Sequence, residues 1–394
     1  MKRSAAPRAN VKRATHTADR RPRRQSARAW APPDDPNIAA AGFLHDMALL
    51  QRTERSRFGY KRAAKMVAAG IDRSVRELIA EGTLRDVPYI GPATERIIAE
   101  LIASGGSAIV ADAVAASTAR GEVEKRQAFR RAYLSRYAMR QALDAPFAES
   151  IVSRATYRGD LQMHSTWSDG VESIASLADA AIALGYTRIG VTDHSYGLPI
   201  AGGMSMASAA RQHREIDAVN EQFGGRLRVY KGIEANILAD GSLDLSRDER
   251  RVFEYVIASP HSLLRRSNDQ TARIIGAVRE PGVAILGHPQ GRMYNSRPGV
   301  RADWRRVFRE AASRRVAIEL DGNWHRQDID FELARVALDE GCLFALDSDA
   351  HSLGELPFTD YAIAHARIAG IPANRVVNCW DAKTFDRWLS ERRR

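Results

Sequence analysis

Seven short apolar segments, at 159–163, 188–192, 228–234, 255–258, 283–286, 316–320 and 343–346, read as strands. Six of them end on or beside a His, Asp or Glu. Helical stretches such as 174–184, 208–223, 270–277 and 304–313 lie between them. Strands alternating with helices build parallel β/α units. Seven such units over about 235 residues predict a parallel barrel related to the TIM architecture, with an open doubly wound sheet as the alternative. In a parallel barrel the C-terminal strand ends meet on one face, so the polar strand-end residues are expected to converge.

Those residues carry a definite chemistry. The first segment opens G-D-L-Q-M-H-S-T-W-S-D-G, with Asp160, His164 and Asp169. Later strand ends bring Asp193 and His194, then Glu234, His261, His288, and Asp349 with His351. Imidazole mixed with carboxylate is the usual donor set for zinc, manganese or iron. A single histidine is ordinarily a packing or surface residue. Five at corresponding strand ends are not a chance placement. His16, His45, His213, His325 and His365 take the ordinary reading, His325 being partly excepted. Only Cys342 and Cys379 are cysteines, which excludes a disulfide scaffold and a thiolate zinc site and suits a reducing cytoplasm. No apolar run reaches eighteen residues, so no transmembrane helix and no membrane partner are expected.

With V-T-D-H-S, G-I-E-A-N, S-P-H-S, G-H-P and S-D-A-H following the first motif in order, residues 159–394 resemble a PHP domain (polymerase and histidinol phosphatase). The resemblance is nearest to the PHP domain of bacterial family X DNA polymerases. It implies a distorted seven-stranded α/β barrel and a cluster of two or three divalent ions (Mn²⁺, Zn²⁺ or Fe²⁺). Carried over position by position, the ligands are His164, Asp169, His194, Glu234, His261, His288, Asp349 and His351. Asp169, His194 and His288 also take catalytic roles. One departure stands out: the family's first motif is commonly His-x-His, and here Gln162 occupies the first position. A neutral amide oxygen is the most it offers a cation. Arg292 and Arg326, in the loops after the fifth and sixth strands, suit bidentate phosphate contact and equally suit salt bridges. Trp324 and His325 share the second of these loops and are candidates for stacking on a base or sugar. Asp160 and Asp193 read as groups that hold the ligands in place.

The N-terminal part is of another kind. Residues 1–158 carry 29 Lys and Arg against 16 Asp and Glu, a net +13, whereas 159–394 carry −2. Residues 1–36, rich in Arg and Ala, are expected to form a disordered basic tail with affinity for phosphate backbones. From about 37 to 103 the apolar spacing is helical. Leu84 to Ile98 reads as a short helix, a tight turn at Tyr89-Ile90-Gly91, and a new helix from Pro92. This stretch resembles a helix-hairpin-helix motif and, over 37–105, the small DNA-binding domain of family X polymerases. The resemblance implies DNA contacts at Pro88, Ile90, Gly91 and Thr94. Tyr89 stands where the family usually has glycine. Residues 106–158 read as a basic helical linker, with Arg126, Arg130 and Arg131 close together on one helix face. No nucleotidyltransferase signature occurs in the chain.

The expected organisation is therefore a tail (1–36), a helix-hairpin-helix domain (37–105), a linker (106–158) and a PHP metallophosphoesterase domain (159–394). The expected activity is metal-dependent hydrolysis of phosphate esters on DNA, as a 3′–5′ exonuclease or 3′-end-processing nuclease in repair. A small-molecule phosphatase of histidinol-phosphate or nucleotide type is the alternative.

Overall fold

The computed structural model describes residues 34–393, together with Met1. The basic tail lies, as far as residue 33, outside the described residues.

Seven helices come first: α1 Pro36–Leu50, α2 Glu54–Lys65, α3 Val75–Ala80, α4 Pro92–Ser104, α5 Ala108–Ala115, α6 Arg120–Gln127 and α7 Arg136–Asp144. Their starts follow from local chemistry. Asp35 accepts from Ile38 N with Pro36 just inside the helix, and Ser74 and Glu77 form a reciprocal capping box on α3. Pro92 begins α4 and Gly105 ends it at φ 76°, a left-handed value that glycine takes without penalty. Leu44, Val67, Leu84, Ile97 and Ile98 form the buried centre of this helical region. Among the described residues no single helix is long and apolar enough to cross a membrane.

Six parallel strands follow: β1 Arg188–Val191, β2 Arg228–Asn236, β3 Tyr255–Ser259, β4 Val283–Leu286, β5 Ala317–Asp321 and β6 Leu343–Asp347. They neighbour one another in sequence order. Helices α8 Ile174–Ala183, α9 Met206–Phe223, α10 Arg247–Arg250, α11 Thr271–Arg279, α12 Trp304–Arg314, α13 Phe331–Asp339, α14 Thr359–Ala369 and α15 Ala382–Arg392 flank the sheet. This is a parallel α/β half-barrel.

The expected first strand, 159–163, is not one. Met163 alone makes bridges, to Val191 at the end of β1 and to Ala350 beyond β6. Gly190 N donates to Asp160 O at 2.8 Å and His164 N to Ala350 O at 2.9 Å, so the segment is tied to both edges of the sheet. The ladder fails because side chains take its hydrogen bonds. Leu161 N donates to Asp347 Oδ1 at 2.8 Å and Gln162 N to Asp160 Oδ1 at 3.2 Å.

Alternate strand residues face opposite sides. Val256, Ala258, Ile318 and Leu320 pack toward the helices, while Tyr255, Ile257, Ala317 and Ala345 pack inside with Phe385 and Trp388 of α15. The Tyr255 ring occupies space that two glycines leave open. A Cβ on Gly190 would lie 1.8 Å from Tyr255 Oη, and one on Gly232 would lie 2.7 Å from its Cζ. Gly190→Ala and Gly232→Ala are each expected to cost about 1–3 kcal/mol by overpacking, measured as a lower urea midpoint with unchanged slope.

The helical region is fastened to the barrel. Arg130 donates to Gly42 O at 2.8 Å, Asp46 at 2.6 Å and Asn295 Oδ1 at 2.8 Å. This corrects the expected arginine face. Helix α6 ends at Gln127, so Arg126 pairs with Glu122 on the helix, Arg130 lies in a following 3₁₀ turn, and Arg131 pairs with Glu332.

Candidate metal centre

The residues named from the strand ends come together. Glu234, fully buried at the end of β2, is the hub. Its carboxylate lies 2.9 Å from His288 Nε2, 3.0 Å from His194 Nδ1, 3.3 Å from His261 Nε2 and 3.4 Å from His164 Nε2. Asp349 Oδ1 is 3.2 Å from His164 Nε2. Asp169 Oδ1 is 3.4 Å from His351 Nε2, 3.7 Å from His194 Nε2 and 3.8 Å from His164 Nδ1. Three overlapping donor groups result: His164, Asp169, His194 and His351; His194, Glu234 and His261; and His164, Glu234 and Asp349. Within each group the donor atoms lie within 4.8 Å of one another. His288 belongs to none of the three and reaches the cluster through Glu234.

The donor set fits cations. Among the described residues, buried His164 Nδ1 and His288 Nδ1 have no hydrogen-bond partner, and His194 Nδ1, His261 Nε2, Glu234 Oε2 and Asp349 Oδ2 have polar neighbours close by but no aligned hydrogen bond. Orphaned buried polar atoms are costly, and divalent ions would satisfy this set. The rings of His164 and His351 stack at 4.2 Å and those of His164 and His194 at 4.4 Å. Burial holds His194 down at about 3, with the neighbouring imidazoles adding to it against the pull of Glu234. Burial and then Arg326 hold His288 at about 4. Both are therefore neutral donors near pH 7. His351 goes the other way: burial opposes its charge, but Asp169 and Asp349 raise it to about 10. The two carboxylates call for a positive charge, which a cation would supply in place of that proton.

Neighbouring groups aim the ligands. His261 Nδ1 lies 2.6 Å from Asn236 Oδ1, and His351 Nδ1 lies 2.8 Å from Asp349 O. Asp193 touches no ligand ring. It accepts from Ser165 N, Ser165 Oγ, Ser168 Oγ and Gln212 Nε2, and so clamps the loop between His164 and Asp169. Gly170 lets that loop close, since a Cβ there would lie 2.2 Å from His164 O. Asp160 binds Ser348 and Gln162 N beneath the cluster. Gln162 is itself in the centre: Nε2 donates to Asp349 Oδ1 at 3.3 Å, and its buried Oε1 has no partner.

The two arginines separate. Arg326 Nη1 lies 3.1 Å from Asp349 Oδ2, at the cluster. Arg292 is spent elsewhere: its guanidinium binds Asp330 and Arg131 O and lies 3.8 Å over the Tyr133 ring. The expectation that Arg292 grips phosphate is corrected accordingly. Three arginines were not singled out from the sequence. Arg265, Arg266 and Arg297 line an open depression of about 450 Å³ together with His261. The basic pair four and five residues past His261 was the available signal.

At the hairpin, Tyr89 takes the left-handed value of φ 69°, while Gly91 is the extended N-cap of α4. Gly91 N is not free for a phosphate, because it donates to Thr94 Oγ1 at 2.9 Å. Pro88 is exposed, and Ile90 and Thr94 are buried. Of the DNA contacts expected at the turn, the amide of Gly91 is thus taken by Thr94.

Comparison with known proteins agrees with the geometry. The chain is 33% identical over 240 residues to the DNA polymerase/3′–5′ exonuclease PolX of Bacillus subtilis (strain 168), which covers 61% of this chain and 42% of that protein. The chain thus spans less than half the length of that relative. It is 31% identical over 189 residues to a probable phosphatase of Aliivibrio fischeri (strain MJ11), covering 45% of this chain and 71% of that one. Among solved structures, a histidinol phosphate phosphatase from Lactococcus lactis complexed with zinc, L-histidinol and phosphate aligns with 53% of this chain and 94% of its own, at 17% identity and a TM-score of 0.41. Residues 160–323 match the PHP domain, and with these strand-end donors the chain belongs to the PHP family.

Proposed function

We propose that this metal-dependent phosphoesterase hydrolyses phosphodiester bonds at DNA ends, as a 3′–5′ exonuclease or 3′-end-processing nuclease with a role in repair. The observation that carries the reading is the basic helical region, which Arg130, bonded to Gly42 O and Asp46 within it, fastens through Asn295 Oδ1 to the domain that bears the donor cluster. A small phosphate ester needs no such arm, whereas a polyanion is drawn to one. The likeness to PolX supports it as well.

When bound, the divalent ions supply Lewis acidity at the phosphate oxygens and activate water near neutral pH. His164, Asp169, His194, Glu234, His261, Asp349 and His351 would hold them, with His288 reaching the centre through Glu234. Arg326, anchored on Asp349 through Nη1, keeps its other N–H groups for a phosphate oxygen. Asp193 fixes the Asp169 loop so that no ligand has to be reorganised on binding.

A second reading, a small-molecule phosphatase, is favoured by the relative in A. fischeri and by the depression lined by Arg265, Arg266 and Arg297. The deciding experiment gives chelator-treated protein 5′- and 3′-labelled oligonucleotides and histidinol phosphate, with and without Mn²⁺. Asp349→Ala serves as the control. The expected result is Mn²⁺-dependent shortening of the 5′-labelled strand from its 3′ end, lost in the variant. Phosphate release from histidinol phosphate with intact oligonucleotides would replace the nuclease reading by the phosphatase one.

A further inference from the structure

We infer that the cleft between the helical region and the barrel is the binding passage for a single-stranded stretch of nucleic acid. This rests on the DNA reading above and names the part of the substrate the chain holds. The cleft has a volume of about 700 Å³. Arg62 and Lys65 of α2, Tyr89 of the hairpin turn, Arg136 and Arg140 of α7, and Trp324 of the loop after β5 line it.

Its chemistry is cationic and aromatic together. None of these four basic residues has a carboxylate within ion-pair distance among the described residues. Nε of Arg136 and Nε of Arg140 are buried without an acceptor. The acid that lines the cleft, Asp360, is already held by Arg154. Arg62 lies 5.0 Å from the centre of the Tyr89 ring, and Lys65 lies 5.8 Å from that of Trp324. Such pairs set aromatic rings for bases beside cations for the phosphates between them, although the His325 ring already lies 3.5 Å from that of Trp324. Tyr89 is 54% exposed.

The occupant is a single strand on two grounds. In a duplex the base faces are covered by their neighbours, whereas unpaired bases present them for stacking. A pocket of this size matches a ligand of one or two nucleotides. The cleft is tied to the donor cluster through the chain: Trp324 stands two residues before Arg326, whose Nη1 lies 3.1 Å from Asp349, and Gly354 and Pro357 of its lining belong to the 3₁₀ helix Leu353–Phe358 just after His351.

The test uses the full chain in chelator, so that nothing is cleaved, with a fluorescein-labelled twelve-residue oligo(dT) read by anisotropy. The variant Arg62→Glu Lys65→Glu changes two exposed residues. The variant Lys383→Glu Arg387→Glu makes the same charge change on exposed residues of α15. The first is expected to weaken binding at least about tenfold and to lower the slope of log affinity against log salt by about 1.4, the second to stay within about twofold. Tyr89→Gly, which suits the left-handed backbone, is expected to weaken binding about fivefold or more. All three should hydrolyse bis(p-nitrophenyl) phosphate with Mn²⁺ at the parent rate, which reads folding and the centre separately. If the α2 pair binds like the parent while the parent degrades oligonucleotides, the cleft assignment falls and the nuclease reading stands. If the parent neither binds nor degrades oligonucleotides yet cleaves the small ester, both fall. Competition by oligoglutamate as strong as by unlabelled oligo(dT) would make the cleft an acidic-peptide groove and overturn the proposal.

Discussion

Glu234→Gln is expected to abolish metal-dependent hydrolysis, on the order of 10³-fold or more, and to strip most of the metal found by elemental analysis. The change keeps the shape of the side chain and removes one charge. That charge faces four imidazoles within 3.4 Å, and Glu234 belongs to two of the three donor groups. Altering a group that only supports a ligand costs ten- to hundredfold in affinity or activity, so loss of a shared ligand should exceed that range. Near-normal metal content and turnover in the variant would mean that the ions sit elsewhere. Thermal melting should separate a chemical from a folding defect. Burial opposes the charge on Glu234, but His194 and His261 outweigh it and hold the carboxyl well below the usual range.

In the metal-free protein, neutral buried histidines are expected to cost stability on acidification from about pH 6.5 to 4, on the order of a few kcal/mol, while carboxyls that burial holds high, Asp328 and Asp347 at about 6 among them, act with the opposite sign. Four buried histidines account for the cost. Burial is the leading cause in each: His194, His45 and His365 are held at about 3 and His288 at about 4. Their unfolded values lie near 6.5, so in this window the unfolded chain binds more protons at these sites and their contribution to stability falls with pH. His365 shows why a proton is unwelcome. Its Nδ1 accepts from Phe331 N at 3.1 Å, and its Nε2 lies 2.7 Å from Gln327 Oε1, which also accepts from Leu134 N. Charging the ring removes the acceptor at Phe331. His351 has the opposite sign. Its raised folded value contributes stability that is complete below about 6.5 and is lost as pH rises toward 10. Urea unfolding at a series of pH values in chelator should therefore show that His365→Gln narrows its stability gap to the parent as pH falls from 6.5 to 4. A gap that stays constant between pH 4 and 6.5 would contradict the neutral assignment of His365.

Much of the barrel was legible because parallel strands buried on both faces are continuous apolar runs, set apart from amphipathic helices by length and period. Expected strands such as 255–258 and 283–286 differ from β3 and β4 by one residue at most. The helix start at Pro92 was legible for an equally local reason, since proline fixes φ and lacks the N–H that a first turn leaves unpaired, whereas Pro36, expected to end the tail, opens α1. The segment 159–163 was not. Its apolar pattern suits a strand, but the carboxylates that take its amides come partly from Asp347, nearly two hundred residues away.

What the sequence by itself determined is the kind of site: imidazoles and carboxylates at the C-terminal ends of parallel strands, which that topology must bring to one face. The tertiary structure alone decided the assignments within it. It made Glu234 the hub, put Arg326 on Asp349, and spent Arg292 on Asp330. It also set Lys65 over Trp324, a pair from two ends of the chain that no local pattern links. Period and propensity are properties of neighbouring residues. Which of two similar arginines reaches a carboxylate depends on how loops far apart in the chain pack together, and that is settled only when the barrel and the helical region come together.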